Sequence, residues 1–170
     1  MFYDLPGLNT PVSVMNCIRS EMTILLMEDG IPMPKSKIVE SFDGLGDWDI
    51  YPCWLKRGND CAQQKEDTCY VETREEAEKV LKNFEKRSIT PVVLNEHLKG
   101  DLVKFYGVEG TDFFYWFYPS KCGHRSKFGL EVINGDAQGI PFVVEDLKKT
   151  ADRAATVLKT PIYGLSLIHI

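Results

Sequence analysis

The chain is poor in the features that mark several function classes. Among its 170 residues no stretch reaches the roughly 18–20 apolar residues a membrane helix needs, so no membrane partner is expected. Basic residues are outnumbered, with 20 Lys and Arg against 25 Asp and Glu, a net charge of −5 and a pI near 5.3. General nucleic-acid binding leaves a basic footprint, so no nucleic-acid partner is expected either. The five cysteines, Cys17, Cys53, Cys61, Cys69 and Cys122, include no CxxC pair. They read as reduced thiols of a cytoplasmic protein. Cys122-Gly-His124 taken with Cys61 and Cys69 fits no zinc-ligand spacing, and no metal site is assigned. The opening Met1-Phe-Tyr-Asp-Leu-Pro has no basic start and no apolar h-region, so no secretory signal is expected. Internal repeats and low-complexity linkers are absent.

What is present suits a folded core. Apolar residues make up 44% of the chain, and its length fits one domain or two small lobes sharing a cleft. The most informative stretch is Pro91-Val-Val-Leu-Asn-Glu-His-Leu-Lys-Gly-Asp-Leu-Val-Lys-Phe-Tyr-Gly-Val108. It reads as an apolar strand, a tight polar link at Lys99-Gly100-Asp101, and a second strand carrying Lys104 in its middle. A lysine inside an otherwise buried strand is costly unless an anion meets it. Tyr51-Pro-Cys-Trp-Leu-Lys-Arg-Gly58 offers a second such lysine, Lys56, followed by a glycine-bearing polar loop. Two strand-borne lysines with these loops point to a cleft for a polyphosphate.

The rest of the chain has clear punctuation. Met15, Ile18, Met22 and Leu25 predict a helix from near Val12 to Glu28, stopped by Asp29-Gly30. Ile31-Pro-Met-Pro34 is a rigid extended link. Strands are expected at Ser36–Ser41, Ile50–Lys56 and Thr68–Glu72, with loops at 42–49 and 58–67. Thr73-Arg-Glu-Glu76 reads as a capping box opening a helix with the face Ala77, Val80, Leu81 and Phe84. Asp112-Phe-Phe-Tyr-Trp-Phe-Tyr118 is an aromatic strand whose rings serve core and sheet face, since no basic residues interleave to make a base-stacking platform. A basic loop with Lys121, His124, Arg125 and Lys127 follows, then a strand at Phe128–Ile133 and a helix starting at Pro141 with Val144, Leu147, Ala151, Ala154 and Leu158 in register. An apolar run closes the chain after Pro161-Ile-Tyr-Gly164.

This order of motifs resembles the ATP-grasp superfamily. Asp29-Gly-Ile-Pro-Met-Pro34 is similar to the family's entry to its first lobe, and Pro52-Cys-Trp-Leu-Lys56 to its P-x-x-x-K strand. The helix opened by Thr73 follows in the same place. Leu94-Asn-Glu-His-Leu98 is similar to the family's hinge, and Leu102-Val-Lys104 to its second lysine strand. The resemblance spans roughly residues 12–164, and its weight lies in order and spacing, since no one motif has the specificity of a Walker loop.

The resemblance implies an α+β fold of two small lobes with antiparallel sheets and flanking helices, incomplete at its end. Residues 12–90 would hold the lead-in helix and first lobe, 91–164 part of the second lobe, and 165–170 a non-native tail. ATP and Mg²⁺ are implied as cofactors. Lys56 would meet the α- and β-phosphates, Lys104 would add charge, and the loop from Gly58 would offer backbone donors. Glu96, His97 and Leu98 would form the hinge that reads adenine through the backbone, with His97 packing rather than acting as a base; Asn95 or Asp101 would reach adenine or ribose. Arg125 and Lys127 are candidates for contact with a phosphate or an acidic substrate. The family's metal-binding carboxylates would lie beyond the end of this chain, so no metal ligand is assigned. The implied activity is that of an ATP-dependent carboxylate–amine ligase working through an acylphosphate, its substrate an unidentified small-molecule or peptide carboxylate. The alternatives are a small-molecule kinase of the inositol-phosphate type on the same fold, and a degenerate nucleotide-binding or scaffold module.

Overall fold

Alternating apolar residues and closely spaced turn signals build two separate antiparallel sheets. The structure, a computed structural model, describes residues 8–41, 43–122 and 128–169. Its elements are α1 (Pro11–Asn16), α2 (Arg19–Glu28), β1 (Ser36–Val39), β2 (Cys53–Arg57), β3 (Thr68–Val71), α3 (Arg74–Lys86), β4 (Val92–Glu96), β5 (Asp101–Val108), β6 (Phe114–Phe117), α4 (Val144–Leu158) and β7 (Ile162–His169), with short 3-10 turns between several of them. This is the expected α+β class, with two antiparallel sheets and flanking helices.

The first sheet has four strands in the order β1-β4-β2-β3. It belongs to a unit made of Ile18–Met27 and Pro32–Leu98. One face of β2 carries Cys53 and Leu55, which with Leu94, Val71 and Val39 pack against Ala77, Leu81 and Phe84 of α3. Full burial of a side chain such as Phe84 is worth about 1.5–3 kcal/mol. Thr73 caps α3 by accepting from the Glu76 N–H at 3.3 Å. The reciprocal arm of the predicted box differs: the Glu76 carboxylate accepts from the N–H of Glu72 at 2.8 Å.

The second sheet has three strands in the order β6-β5-β7. It belongs to a unit containing Glu28–Ile31, the chain from Lys99 onward and the residues up to Cys17. Val103, Phe105 and Tyr163 face Leu147, Ala151 and Ala155 of α4, joined by Phe114, Trp116 and Leu165. The segment expected as a non-native tail continues β7 through His169, paired with Asp101.

Four expectations are corrected. The predicted helix from Val12 to Glu28 is broken into α1 and α2, because the N–H of Ser20 turns to the carbonyl of Gly58 at 3.0 Å. The change of unit falls between Leu98 and Lys99, not at residue 91, because β4 pairs with both β1 and β2 inside the first sheet. The strand expected at Phe128–Ile133 is a 3-10 turn over Leu130–Asn134, bounded by Gly129 and Gly135 at φ +66° and +73°, a left-handed region that favours glycine. The last helix starts at Val144 rather than Pro141, since the N–H groups of Gln138, Gly139 and Ile140 are held by the Asp101 carboxylate.

Candidate functional site

β2 separates its side chains by alternation. Cys53 and Leu55 enter the core, while Trp54 and Lys56 share the opposite face with their cross-strand neighbours Tyr70, Asn95, Thr68 and Val93. Lys56 is half-buried and makes no ion pair among the described residues. Its Nζ lies 6.0 Å from the Trp54 ring centroid. Burial, and next the positive charge of Arg19, push its pKa down to about 7. Arg19 opens α2 and its Nε donates to the carbonyl of Arg57 at 3.0 Å, which fixes the start of α2 to the end of β2. Among the described residues no carboxylate pairs with Lys56, so burial and a neighbouring cation both disfavour its charged form.

The loop after β2 is more tightly tied than the sequence suggests. Gly58 donates its N–H to the carbonyl of Pro91 at 2.8 Å and accepts from Ser20 through its own carbonyl. Its N–H is therefore engaged within the fold. The N–H of Cys61 meets the Asp60 carboxylate at 2.7 Å, and those of Gln63 and Gln64 meet Asp67 at 2.8 and 3.3 Å. The carboxylate of Asp67 is fully buried, bonded to Arg87 and 3.6 Å from Arg57. Burial pushes Asp67 up, but the Arg87 hydrogen bond and the two backbone N–H groups outweigh it and hold the carboxyl below the ordinary range.

The place of Gly58 is set by space. A Cβ there would fall on the carbonyl oxygen of Pro91, well inside contact distance, and that neighbour is backbone. Gly58→Ala is expected to destabilise the chain by about 1–3 kcal/mol as an overpacking defect. Urea midpoints check it, and a midpoint equal to that of the unsubstituted chain would show that the loop yields freely.

In the hinge, the Glu96 N–H donates to Lys35 O at 2.9 Å and the His97 N–H to Pro52 O at 3.1 Å. These two donors hold the hinge to its own unit. His97 Nδ1 accepts from Trp54 Nε1 at 3.1 Å, and its ring packs edge-on against Tyr70 with centroids 5.1 Å apart. Asn95 is buried and gives one amide hydrogen to Ser36 Oγ at 2.8 Å.

In the second unit, Lys104 is half-buried on the β5 face opposite Val103 and Phe105, across from Phe117 and Ser166. Tyr106, Tyr115 and Phe117 share that face, with the Tyr106 and Phe117 rings stacked at 6.4 Å. Asp101 anchors a neighbouring loop. It is buried, and its two oxygens accept from the N–H groups of Gln138, Gly139 and Ile140 at 2.7–2.8 Å. Those bonds and the charge of Lys121 overcome the upward push of burial and hold its carboxyl low. Arg125 and Lys127 lie outside the described residues.

No family model and no curated protein matches the sequence. Solved structures do match. D-alanine–D-alanine ligase from Bacillus anthracis complexed with ATP aligns at a TM-score of 0.68 and 14% identity, over 95% of this chain and 54% of that one. The RimK domain ATP-grasp protein from Sphaerobacter thermophilus aligns at 0.64 and 14%, over 98% and 59%. The ATP-grasp ligase PsnB complexed with minimal precursor aligns at 0.59 and 15%, over 95% and 50%. The chain has part of the ATP-grasp fold. It spans about half the length of these solved structures.

Within this ATP-grasp fold, two residues that matter were not singled out from the sequence. Arg19 sat inside a helix pattern read as continuous, where an arginine is ordinarily solvated. Asp67 was one of several acids in a polar loop. Local pattern carries no signal for either, because each is defined by a partner 20 or more residues away: Arg57 for Arg19 and Arg87 for Asp67. Among the described residues no group of three or more His, Cys, Asp or Glu side chains could hold a metal ion. No step is assigned to the metal.

Proposed function

We propose that this chain is the ATP-binding portion of an ATP-dependent carboxylate–amine ligase. The observation that carries the reading is Lys56, half-buried on β2 with no ion pair among the described residues, its pKa pushed down to about 7 by burial and next by Arg19. A polyphosphate relieves that arrangement by supplying the missing negative charge. The similarity in fold to ligases solved with ATP supports the same reading. Lys104 is proposed as a phosphate contact, and the hinge Glu96–Leu98 with Asn95 as an adenine contact.

In the proposed reaction a substrate carboxylate oxygen attacks the γ-phosphorus of ATP. The bond to the bridging oxygen breaks, ADP leaves, and an acylphosphate remains. An amine then attacks the acyl carbon, phosphate departs and the amine gives up a proton. This chain's residues bind and orient: Lys56 and Arg19 neutralise phosphate charge and hold the nucleotide in place. The test is titration of a non-hydrolysable ATP analogue into the chain and its Lys56→Ala variant. Loss of one charge-assisted contact, about 1.5–3 kcal/mol, should weaken binding roughly 10- to 100-fold. Equal affinity would remove Lys56 from the site, and no binding by the unsubstituted chain would overturn the reading.

A further inference from the structure

Lys56 has the surroundings of a nucleophilic amine. On β2 it stands between Thr68 of β3 and Val93 of β4, both uncharged, and Val93 is fully buried. Arg19 of α2 is a charged group that acts on it. The Nε of Arg19 donates to the carbonyl of Arg57, the residue after Lys56, at 3.0 Å, so this cation is fixed in place. Lys37, Lys148 and Lys149 each meet an aspartate, at Asp47, Asp152 and Asp146. No carboxylate pairs with Lys56 among the described residues, and the residue keeps some exposure to water. Loss of water and a fixed neighbouring cation both favour the neutral amine. The same two devices, desolvation and an adjacent cation, activate nucleophilic lysines in enzymes. Arg19 itself stays charged, because a guanidinium holds its proton throughout the neutral range.

A neutral nucleophile beside a permanent cation suits an electrophile with a negatively charged leaving group. Acyl phosphates have that form. We propose that Lys56 is a modification site that takes an acyl group from small acyl phosphates. The Nζ lone pair attacks the acyl carbon and a C–N bond forms. The C–O bond to phosphate breaks, phosphate leaves with that electron pair, and the nitrogen passes a proton to it. The resulting amide carries no charge and cannot regain one. The step stands on the surroundings of Lys56; its consequence, loss of nucleotide affinity, rests on the function proposed above.

Acetyl phosphate tests this, with peptide mass spectrometry following each lysine in time. At pH 7.5 about three quarters of Lys56 is neutral, against roughly 0.1% of an ordinary lysine. Lower basicity gives back part of that advantage. Lys56 should still acetylate at least about tenfold faster than the exposed Lys79, Lys82 and Lys86 of α3. Its rate should rise through about pH 7 to a plateau, while theirs climbs toward pH 10. A folded Arg19→Gln chain should reach its plateau at higher pH. If that variant loses its far-UV signal, the pH profile of the unsubstituted chain decides. A Lys56 rate equal to those of the α3 lysines, or one still climbing at pH 9, overturns the proposal. Slow acetylation of a chain that binds a non-hydrolysable ATP analogue through Lys56 overturns this proposal and not the nucleotide reading. Fast acetylation that the analogue slows upholds both. Fast acetylation that the bound analogue leaves unchanged upholds this proposal and removes Lys56 from the nucleotide site.

Discussion

Nucleotide affinity is expected to fall by up to about tenfold for each pH unit between roughly pH 7 and pH 10, through Lys56 alone. In the free chain burial and Arg19 push this lysine down to about 7, whereas an unperturbed lysine titrates near 10.4. Above pH 7 the free chain therefore holds Lys56 largely neutral. A polyphosphate favours the charged form, so binding must take up a proton, and affinity drops as protons become scarce. The phosphates add nothing to this slope, because their last ionisation near pH 6 is complete below the window. Without nucleotide the sign is opposite. The folded chain binds fewer protons than the unfolded chain between about pH 7 and 10.4, so this lysine makes stability rise with pH across that window. Calorimetric titrations at pH 8 in buffers of different ionisation enthalpy measure the proton directly. Uptake approaching one proton is expected for the unsubstituted chain and close to zero for Lys56→Gln. The same small uptake in both would refute a depressed, phosphate-facing lysine.

Asp67→Ala is expected to destabilise the chain by about 3–5 kcal/mol, the cost of breaking a buried pair by removing one partner. The carboxylate is fully buried against Arg87, with Arg57 3.6 Å away and the N–H groups of Gln63 and Gln64 on the same oxygen. Its removal leaves a partly buried guanidinium and two loop donors without an acceptor. Against a typical stability of about 5–15 kcal/mol that is a large fraction. The pH dependence has a definite sign. The folded carboxyl is held below its ordinary value, so its contribution is complete above the unfolded value near 3.9 and is lost as pH falls through the lower folded value. Urea denaturation at pH 7 should show the full loss, and the variant's deficit should shrink as pH drops below about 4. A deficit under about 1 kcal/mol at pH 7 would mean that the pair behaves like an exposed one.

The legible part of this chain was local. Alternation in Cys-Trp-Leu-Lys-Arg placed Lys56 on a strand face away from the core, and the Ala77, Leu81, Phe84 stripe placed α3 on the other side. Thr73 announced its helix, because an N-cap is a contact between residues three apart. Where local signals were ambiguous, they misled. The face Met15, Ile18, Met22, Leu25 ran through a real break, and the segment Phe128–Ile133 enters a 3-10 turn between Gly129 and Gly135 instead of a strand. Asp101 and Gly58 looked like ligand contacts because polar and glycine residues at a strand end suit either role. In the structure both anchor the fold, through hydrogen bonds with Gln138, Gly139, Ile140 and Pro91.

By itself the sequence determined most of the strands and helices, and that lysines stand on two of the strands. Side-chain alternation, capping and turn chemistry act over a few residues, so they can be read from order alone. Only the tertiary structure decided that Arg19 sits beside Lys56, that Asp67 ties the intervening loop to Arg87, and that β4 and β5 belong to different sheets. Those outcomes depend on burial and on partners distant in the chain. The charge state of a lysine follows from how much water and which charges surround it, and no stretch of sequence contains that information until the chain has closed around it.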